Sequence, residues 1–367
     1  MAGSPVSDRL ARVLIVRVGA MGDVLHALPA VAALRKLRPE LEIDWVVDPR
    51  WAPLLAEESG QGPVVSGLHL AETRTWSRAP FSGETRRSIL ALRRALREAH
   101  YDAVIDMQGT LRSAVLGRFA QASQFAGYRD PREAPAAWLY KQKLHRQGLH
   151  VVEQGAWLLG EALGEGLGEM YRNALITAPS LPLPLLPEAE RWAEETLRPL
   201  SRERPFVLLA PTAGWGAKQW PAEAFGKLAQ RLRQRGYLVL VNAASPGDET
   251  AARVRAASLQ TTQTVSGGVA GLVALTRRAA LVIGGDSGPV HLAAALQTPV
   301  LALFGPTDPA RNGPWGAGPM RVLRQPGSAT SYKRNAATDP GLARLPVDEV
   351  LDAALALLQE NRTSGSD

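Results

Sequence analysis

The chain contains no cysteine. Disulfides, thiolate chemistry and cysteine-ligated zinc or iron–sulfur centres are therefore excluded. No apolar run reaches the roughly 18 residues that a membrane-spanning helix needs. Residues 1–10 are polar, and the first apolar run, Val13 to Val18, has only the length of a strand. No signal peptide is expected, and the protein reads as cytoplasmic. The G-x-G-x-x-G dinucleotide fingerprint is missing, which argues against an NAD site. No Asp-x-Asp and no His-x-x-x-His pair occurs, so no metal is expected. A Gly-x-Ser-x-Gly elbow is missing too, which speaks against Ser/His/Asp nucleophilic catalysis.

What is present is an ordinary globular composition, 46% hydrophobic and 21% charged. The 367 residues suffice for two α/β domains with sizeable cores. A formal charge of +7 suits nucleic acid, an anionic membrane surface or phosphorylated substrates, and does not choose between them.

The most organised stretch runs from Leu281 to Pro309. Leu281 to Ile283 reads as a buried strand, followed by the glycine-rich turn Gly284-Gly285-Asp286-Ser287-Gly288, a helix and a second strand from Val300 to Phe304. The lengths fit a βαβ unit of a parallel sheet. A helix starting near Gly288 points its first backbone N–H groups at the turn, where they could hold phosphate oxygens. Pro289 suits the first helical position, and His291 follows one turn in. Asp286 or Ser287 could instead serve only as a helix cap. Asp, Ser and His converging at one strand end favour an anionic ligand.

The same alternation recurs along the chain. Arg12 to Val18 is the first strand, and Gly19-Ala-Met-Gly22 leads into a helix from about Asp23 to Leu37. Pro29 inside it predicts an early bend or a later true start. Leu41 to Val47 and Tyr101 to Asp106 read as strands, Trp51 to Glu58 as a short helix, and Ser88 to Glu98 as a strongly basic amphipathic helix. Residues 130–150 read as a loop or short-helix region. The sharpest break in composition is the proline-rich stretch 178–187. A helix near Glu188 to Leu197 follows it, then strands at Phe206 to Ala210, Tyr237 to Asn242, Thr264-Val265 and the two already described. A terminal helix spans Asp348 to Gln359, and residues 361–367 read as frayed. The expected organisation is a leader over 1–10, an N-terminal domain over 11–177, a linker and helix over 178–203, a second domain over 204–345 and a terminal helix and tail over 346–367. Both domains are expected to be doubly wound, with a cleft between them.

Several residues stand where chemistry gathers. Asp23 opens a helix at a strand's carboxyl end, as a cap or as a general base reaching a ligand. His26 lies one turn later and could orient Asp23, or simply pack. Pro211-Thr212-Ala-Gly-Trp-Gly-Ala-Lys218 combines a hydroxyl, flexible glycines and one lysine, a set suited to phosphate. Glu249 follows the next strand, where carboxylates hold ribose hydroxyls or merely favour a helix N-terminus. In the first half Arg74, Arg78, Arg132 and the arginines between Arg86 and Arg97 suggest a multiply anionic substrate or membrane, or an ordinary solvated basic surface. Met107-Gln108-Gly109 opens a turn after the strand that ends at Asp106.

Arg12-Val-Leu-Ile-Val-Arg-Val-Gly-Ala-Met-Gly-Asp-Val-Leu-His-Ala-Leu-Pro29 resembles the opening of the lipopolysaccharide heptosyltransferases, glycosyltransferase family 9. Ile43 to Val47, Tyr101 to Gly109 and Asp286 to Pro309 extend the similarity over nearly the whole chain. It is greatest to the members that add the first heptose to the Kdo of the inner core. The resemblance implies a GT-B fold, two Rossmann-like doubly wound domains facing each other across a cleft. It implies metal-independent, inverting transfer from ADP-heptose to the Kdo/lipid A inner core, with Asp23 as general base. By the same resemblance Lys218 and Thr212 hold the diphosphate with Ser287 and Gly288, while Asp286 and His291 contact sugar or phosphate and Glu249 contacts ribose. Acceptor contacts fall to Gly22, His26, Arg74, Arg78, Gln108 and Arg132. No cofactor and no nucleic acid partner is implied. The implied partners are an ADP-sugar, a phosphorylated lipid-linked acceptor and the anionic inner face of the cytoplasmic membrane. Family members of the nearest type carry serines at Gly19-Ala20 and lysine at Arg17, and charged residues where this chain has Trp215-Gly-Ala217. The alternatives are a family 9 transferase with another nucleotide sugar or acceptor, such as one like heptosyltransferase II, and a non-catalytic sugar-binding protein.

Overall fold

The computed structural model describes residues 10–164, 181–201, 204–333 and 335–364. They form two compact units, Met1–Pro184 and Leu185–Asp367. In unit 1 the strands are β1 (Arg12–Val16), β2 (Glu42–Val47), β3 (Gly67–Leu70), β4 (Ala103–Asp106), β5 (Gln124–Tyr128) and β6 (Gln142–Leu144). Its helices are α1 (Met21–Leu37), α2 (Thr73–Arg78), α3 (Gly83–Glu98), α4 (Leu111–Phe119) and α5 (Val151–Leu163). Unit 2 opens with α6 (Pro187–Ser201), and its strands are β7 (Phe206–Ala210), β8 (Leu238–Asn242), β9 (Gln263–Val265), β10 (Leu281–Gly285), β11 (Val300–Phe304) and β12 (Met320–Arg324). Between and after them lie α7 (Ala222–Gln234), α8 (Glu249–Ala257), α9 (Gly268–Arg278), α10 (Gly288–Ala295), α11 (Pro309–Asn312), α12 (Pro340–Ala343) and α13 (Val347–Ser364).

Each unit holds one six-stranded sheet, ordered β3-β2-β1-β4-β5-β6 and β12-β11-β10-β7-β8-β9. Every strand pairing is parallel. The two orders are one topology: the chain moves outward from the first strand, returns, and continues on the other side. The return leaves a switch point between β1 and β4 in unit 1, and between β7 and β10 in unit 2. Loops leaving neighbouring strands in opposite directions open a crevice at their carboxyl ends, where ligands bind in this class of sheet.

Strand composition explains the layering. β1 and β7 are buried almost throughout, as parallel strands covered on both faces must be. Leu14 and Val16 pack with Leu92, Leu96, Ala114 and Leu116 of α3 and α4. Alternation turns Val13 and Ile15 to the other face, where α1 and α5 lie along each other. In unit 2 Val207, Leu209, Ile283 and Leu303 pack against Phe225, Leu228 and Leu232 of α7 and Leu351 and Leu357 of α13.

The helix after β1 runs unbroken from Met21 through Pro29 to Leu37, so it has no late start. Eleven of its residues are buried, including Val24, Leu28 and Leu34, and burial on most sides holds it despite the lost N–H of Pro29. The basic helix is longer than expected, because Ser82 caps it by accepting from the Thr85 N–H. The helix expected over Trp51 to Glu58 is instead a 3₁₀ turn over Pro49–Leu54, capped by Asp48. Residues 130–150 contain a 3₁₀ turn, Ala134–Trp138, and also strand β6. The terminal helix continues to Ser364 where fraying was expected, and 365–367 lie outside the described residues. The expected leader over 1–9 and residues 178–180 of the proline-rich stretch also lie outside them. Strands β3, β5, β6 and β12 escaped the sequence reading. Three of them are sheet edges, and an edge strand keeps polar or half-exposed residues that blur an apolar run.

Candidate active site

In unit 1 the switch point gathers the turn after β1 and the turn after β4. Asp23 is the third residue of α1; its Oδ2 accepts from the Ala20 N–H at 3.2 Å. Its Oδ1 pairs with Arg17 Nη2 at 3.1 Å, the carboxylate being 34% exposed and the arginine 16%. Arg17 Nε also donates to the Asp23 carbonyl at 3.2 Å, and its Nη1 to the carbonyl of Met107. So the carboxylate both serves the helix start and stays open on one side, held by an arginine that is mostly covered. Sequence reasoning missed Arg17 as that partner. The available signal was a charged side chain closing an otherwise apolar strand.

Gln108 joins the two turns: its Oε1 accepts from the Val18 N–H at 2.7 Å and from the Gly19 N–H at 3.3 Å. Beneath it Asp106 is fully buried. Its Oδ1 accepts from the Gln108 and Gly109 N–H groups, and its Oδ2 from Ser113 Oγ at 2.8 Å and Tyr140 OH at 2.7 Å. Burial pushes the Asp106 carboxyl up while these four donors pull the other way. Burial, together with the charge of Asp106, raises the Tyr140 phenol. Gly109 has φ +72, and a Cβ there would lie 3.1 Å from Arg132 N. That close approach sets the backbone of Arg132 beside the Gln108 turn, with its side chain exposed.

Gly22 is the second residue of α1. His26 is buried, its ring edge-on to His150 at 5.6 Å between centroids; the group found on Asp23 is Arg17. Arg74 is exposed on α2, close enough that its charge, after Arg50, helps hold the buried Asp48 carboxyl below its ordinary value. Arg78 ends α2 and is exposed; none of the described bonds ties it to the Asp23 turn.

In unit 2 the constellation is tighter. Lys218 Nζ lies 2.5 Å from Asp286 Oδ2, the carboxylate side chain being 5% exposed. His291 Nε2 stands 3.0 Å from Asp286 Oδ1, and Thr307 Oγ1 donates to Oδ2 at 2.6 Å. Burial would raise the Asp286 carboxyl, but His291 and Lys218 outweigh it and hold it well below the usual carboxylate range. Asp286 is thus a fixed anion with three partners, unsuited to proton transfer. The Lys218 ammonium also sits 5.2 Å from the centroid of the Trp215 ring. Thr307 is a second residue the sequence reading missed, although it follows a strand of the same βαβ unit by three residues.

Glycine makes the arrangement possible. A Cβ on Gly285 would lie 2.1 Å from the Lys218 carbonyl oxygen, and one on Gly216 would lie 1.6 Å from that of Ala336. Only a bare backbone lets the lysine loop lie against the end of β10. Ser287 occupies the N-cap of α10 with no side-chain cap bond, and Pro289 follows near the first position. Neither Asp286 nor Ser287 therefore works as a simple cap. Gly288 opens the helix, whose leading N–H groups face this turn.

Thr212 donates to Asp248 Oδ2 at 2.8 Å, and Asp248 Oδ1 caps α8 through the Thr250 and Ala251 N–H groups. The hydroxyl proton of Thr212 meets an anion only by turning away from Asp248. Glu249 is exposed at the first position of α8. It is the neighbouring Asp248, not Glu249, that is bonded to the Thr212 loop. Among the described residues no group of three or more His, Asp or Glu side chains could hold a metal ion, and no helix is long and apolar enough to cross a membrane.

Two parallel sheets of Rossmann type, each with a polar constellation at its switch point, are the make-up of the GT-B fold class. The family model described as glycosyltransferase family 9 (heptosyltransferase) matches residues 89–340. The chain belongs to glycosyltransferase family 9. It is 31% identical over 313 residues to lipopolysaccharide heptosyltransferase 1 of Pseudomonas aeruginosa, covering 83% of this chain and 81% of that protein. The structure of E. coli heptosyltransferase WaaC with ADP aligns with TM-score 0.72 and 28% identity over 95% of this chain and 99% of that one. The same enzyme with ADP-2-deoxy-2-fluoro heptose aligns with TM-score 0.69 over the same shares. The protein is a glycosyltransferase of the heptosyltransferase family.

Proposed function

We propose that the enzyme transfers heptose from ADP-heptose to the Kdo of a lipid A-linked inner core, with inversion and without a metal. The observation that carries this reading is the Lys218–Asp286–His291 constellation at the switch point of unit 2. The relatives with ADP and with an ADP-heptose analogue support the same donor. Lys218 supplies a point charge with three donors to the leaving diphosphate, and the α10 N-terminus adds backbone N–H groups. Thr212 joins them by turning from Asp248. Asp286 holds Lys218 and His291 in place and offers its remaining lone pairs to the sugar hydroxyls. Glu249, at the helix start, reaches toward ribose.

In unit 1 Asp23 takes the proton from the acceptor hydroxyl as that oxygen bonds to the anomeric carbon. The carbon–oxygen bond to ADP breaks on the opposite face, and the electron pair leaves with the diphosphate. Arg17 keeps the base oriented. Gly22, His26, Gln108, Arg74, Arg78 and Arg132 form the acceptor side, with the arginines meeting its anionic groups. The enzyme works at the cytoplasmic face of the inner membrane. The experiment is turnover of Asp23→Asn with ADP-heptose and a Kdo–lipid A acceptor in the presence of EDTA. General-base loss lowers kcat by about 10²- to 10⁴-fold and leaves ADP binding intact. Normal turnover would remove Asp23 from the mechanism, preference for a UDP- or GDP-sugar would overturn the donor, and loss of wild-type activity in EDTA would overturn metal independence.

A further inference from the structure

On α3 the residues Thr85, Leu92 and Leu96 face the core. An exposed side next to the core face carries Arg86, Leu90, Arg93 and Arg97, spaced i, i+4, i+7 and i+11, which puts them in one stripe along the helix. Arg87 and Arg94 flank that stripe. The neighbouring helix repeats the pattern: Ala114, Leu116 and Gly117 of α4 are buried, while Leu111, Val115 and Arg118 form an exposed i, i+4, i+7 stripe. The two helices pack side by side, and the Arg93 guanidinium lies 6.0 Å from the centroid of the Phe119 ring of α4. Seven arginines on α3 and α4 are set against Glu84 and Glu98 alone, and Glu98 is paired with Arg94.

Large apolar side chains stand out among these charges. Phe81, just before α3, is 85% exposed, and Trp138, in the 3₁₀ turn packed on α4, is 81% exposed. Leu90, Leu111 and Val115 are exposed as well. Five of the eleven large apolar side chains exposed among the described residues thus lie on or beside α3 and α4, and exposed apolar groups gathered among charges mark an interaction surface.

We infer that the α3–α4 face of unit 1 docks on an anionic phospholipid bilayer, its arginines on lipid phosphates and Phe81, Leu90 and Trp138 among the headgroups. This deepens the reading of a membrane-associated transferase and stands on unit 1 alone. Arginine interleaved with aromatic and aliphatic side chains matches an interface that is anionic above and apolar just below. A nucleic acid offers the phosphates without an apolar layer for Phe81 and Leu90.

The test is sedimentation of the full chain with vesicles of phosphatidylglycerol and phosphatidylethanolamine, free of any acceptor, against vesicles of phosphatidylcholine. The wild type partitions onto the anionic vesicles, and partitioning collapses in high salt. Arg86→Ser/Arg93→Ser/Arg97→Ser weakens partitioning by about a hundredfold, at the usual contribution of each surface arginine. Phe81→Ser/Trp138→Ser weakens it at least tenfold, with circular dichroism and ADP binding unchanged in both variants. Equal partitioning onto phosphatidylcholine, or undiminished binding by either variant, would overturn the inference. Binding to duplex DNA without binding to vesicles would reassign the face to nucleic acid. Failure to turn over ADP-heptose on a water-soluble acceptor would defeat the transferase reading and leave the vesicle result standing.

Discussion

Replacing Lys218 with methionine removes the ammonium that neutralises a carboxylate only 5% exposed. Breaking one side of a buried ion pair costs about 3–5 kcal/mol. Here His291 and Thr307 still bond both oxygens of Asp286, so the lower end, about 3 kcal/mol, is expected. Asp286→Asn strands the lysine instead, but that side chain is 17% exposed and rests near Trp215. It can turn to water, and about 2 kcal/mol is expected for the lost charge-assisted bonds. The double variant holds neither charge, and its cost should fall about 2 kcal/mol short of the sum of the single ones, as for side chains in direct contact. Urea unfolding followed by circular dichroism gives the three differences, and calorimetry gives ADP affinity for the same proteins. Adding Asp286→Asn to Lys218→Met should therefore cost almost no further stability, and ADP affinity should not return, because the neutral pair offers no cation to a diphosphate. Strict additivity would refute the coupled pair. Undiminished ADP binding by Lys218→Met would refute the phosphate role.

Gly285→Ala places a methyl 2.1 Å from the Lys218 carbonyl oxygen; the loop must move, and a loss of about 1–3 kcal/mol in urea unfolding is expected together with at least tenfold weaker ADP binding. Wild-type ADP affinity in that variant would show that the lysine loop does not depend on the bare backbone. The depressed Asp286 carboxyl, buried but outweighed by His291 and Lys218, contributes stability that is fully present above about pH 4, its ordinary range, and is lost as pH falls through the folded value. Asp286→Asn should therefore reduce the slope of unfolding free energy against pH below about pH 4 by up to about 1.4 kcal/mol per pH unit. An unchanged slope would mean that the group titrates alike folded and unfolded.

Much of this protein is written locally. The apolar runs at Arg12–Val16, Phe206–Ala210 and Val300–Phe304 identify buried parallel strands before any tertiary contact is known. The glycine-containing turns after β1, β7 and β10 likewise announce strand-to-helix junctions, and with them Asp23, Lys218 and Asp286. Periodicity and turn chemistry act over a few residues, so a sequence displays them directly. The stripe of α3 is legible for the same reason, since spacing alone puts Arg86, Leu90, Arg93 and Arg97 together. Edge strands such as β6, half-exposed and three residues long, lack that signal. What only the tertiary structure decided is adjacency. Strand order makes the loops after β1 and β4 neighbours, so that Gln108 bonds the Val18 N–H across 90 residues of sequence. Arg17 meets Asp23 while reaching the Met107 carbonyl, Asp248 rather than Glu249 receives Thr212, and Thr307 closes on Asp286 for the same reason. These partners are chosen by how sheets order their strands and how loops pack at their carboxyl ends, a non-local choice that no short window of residues contains.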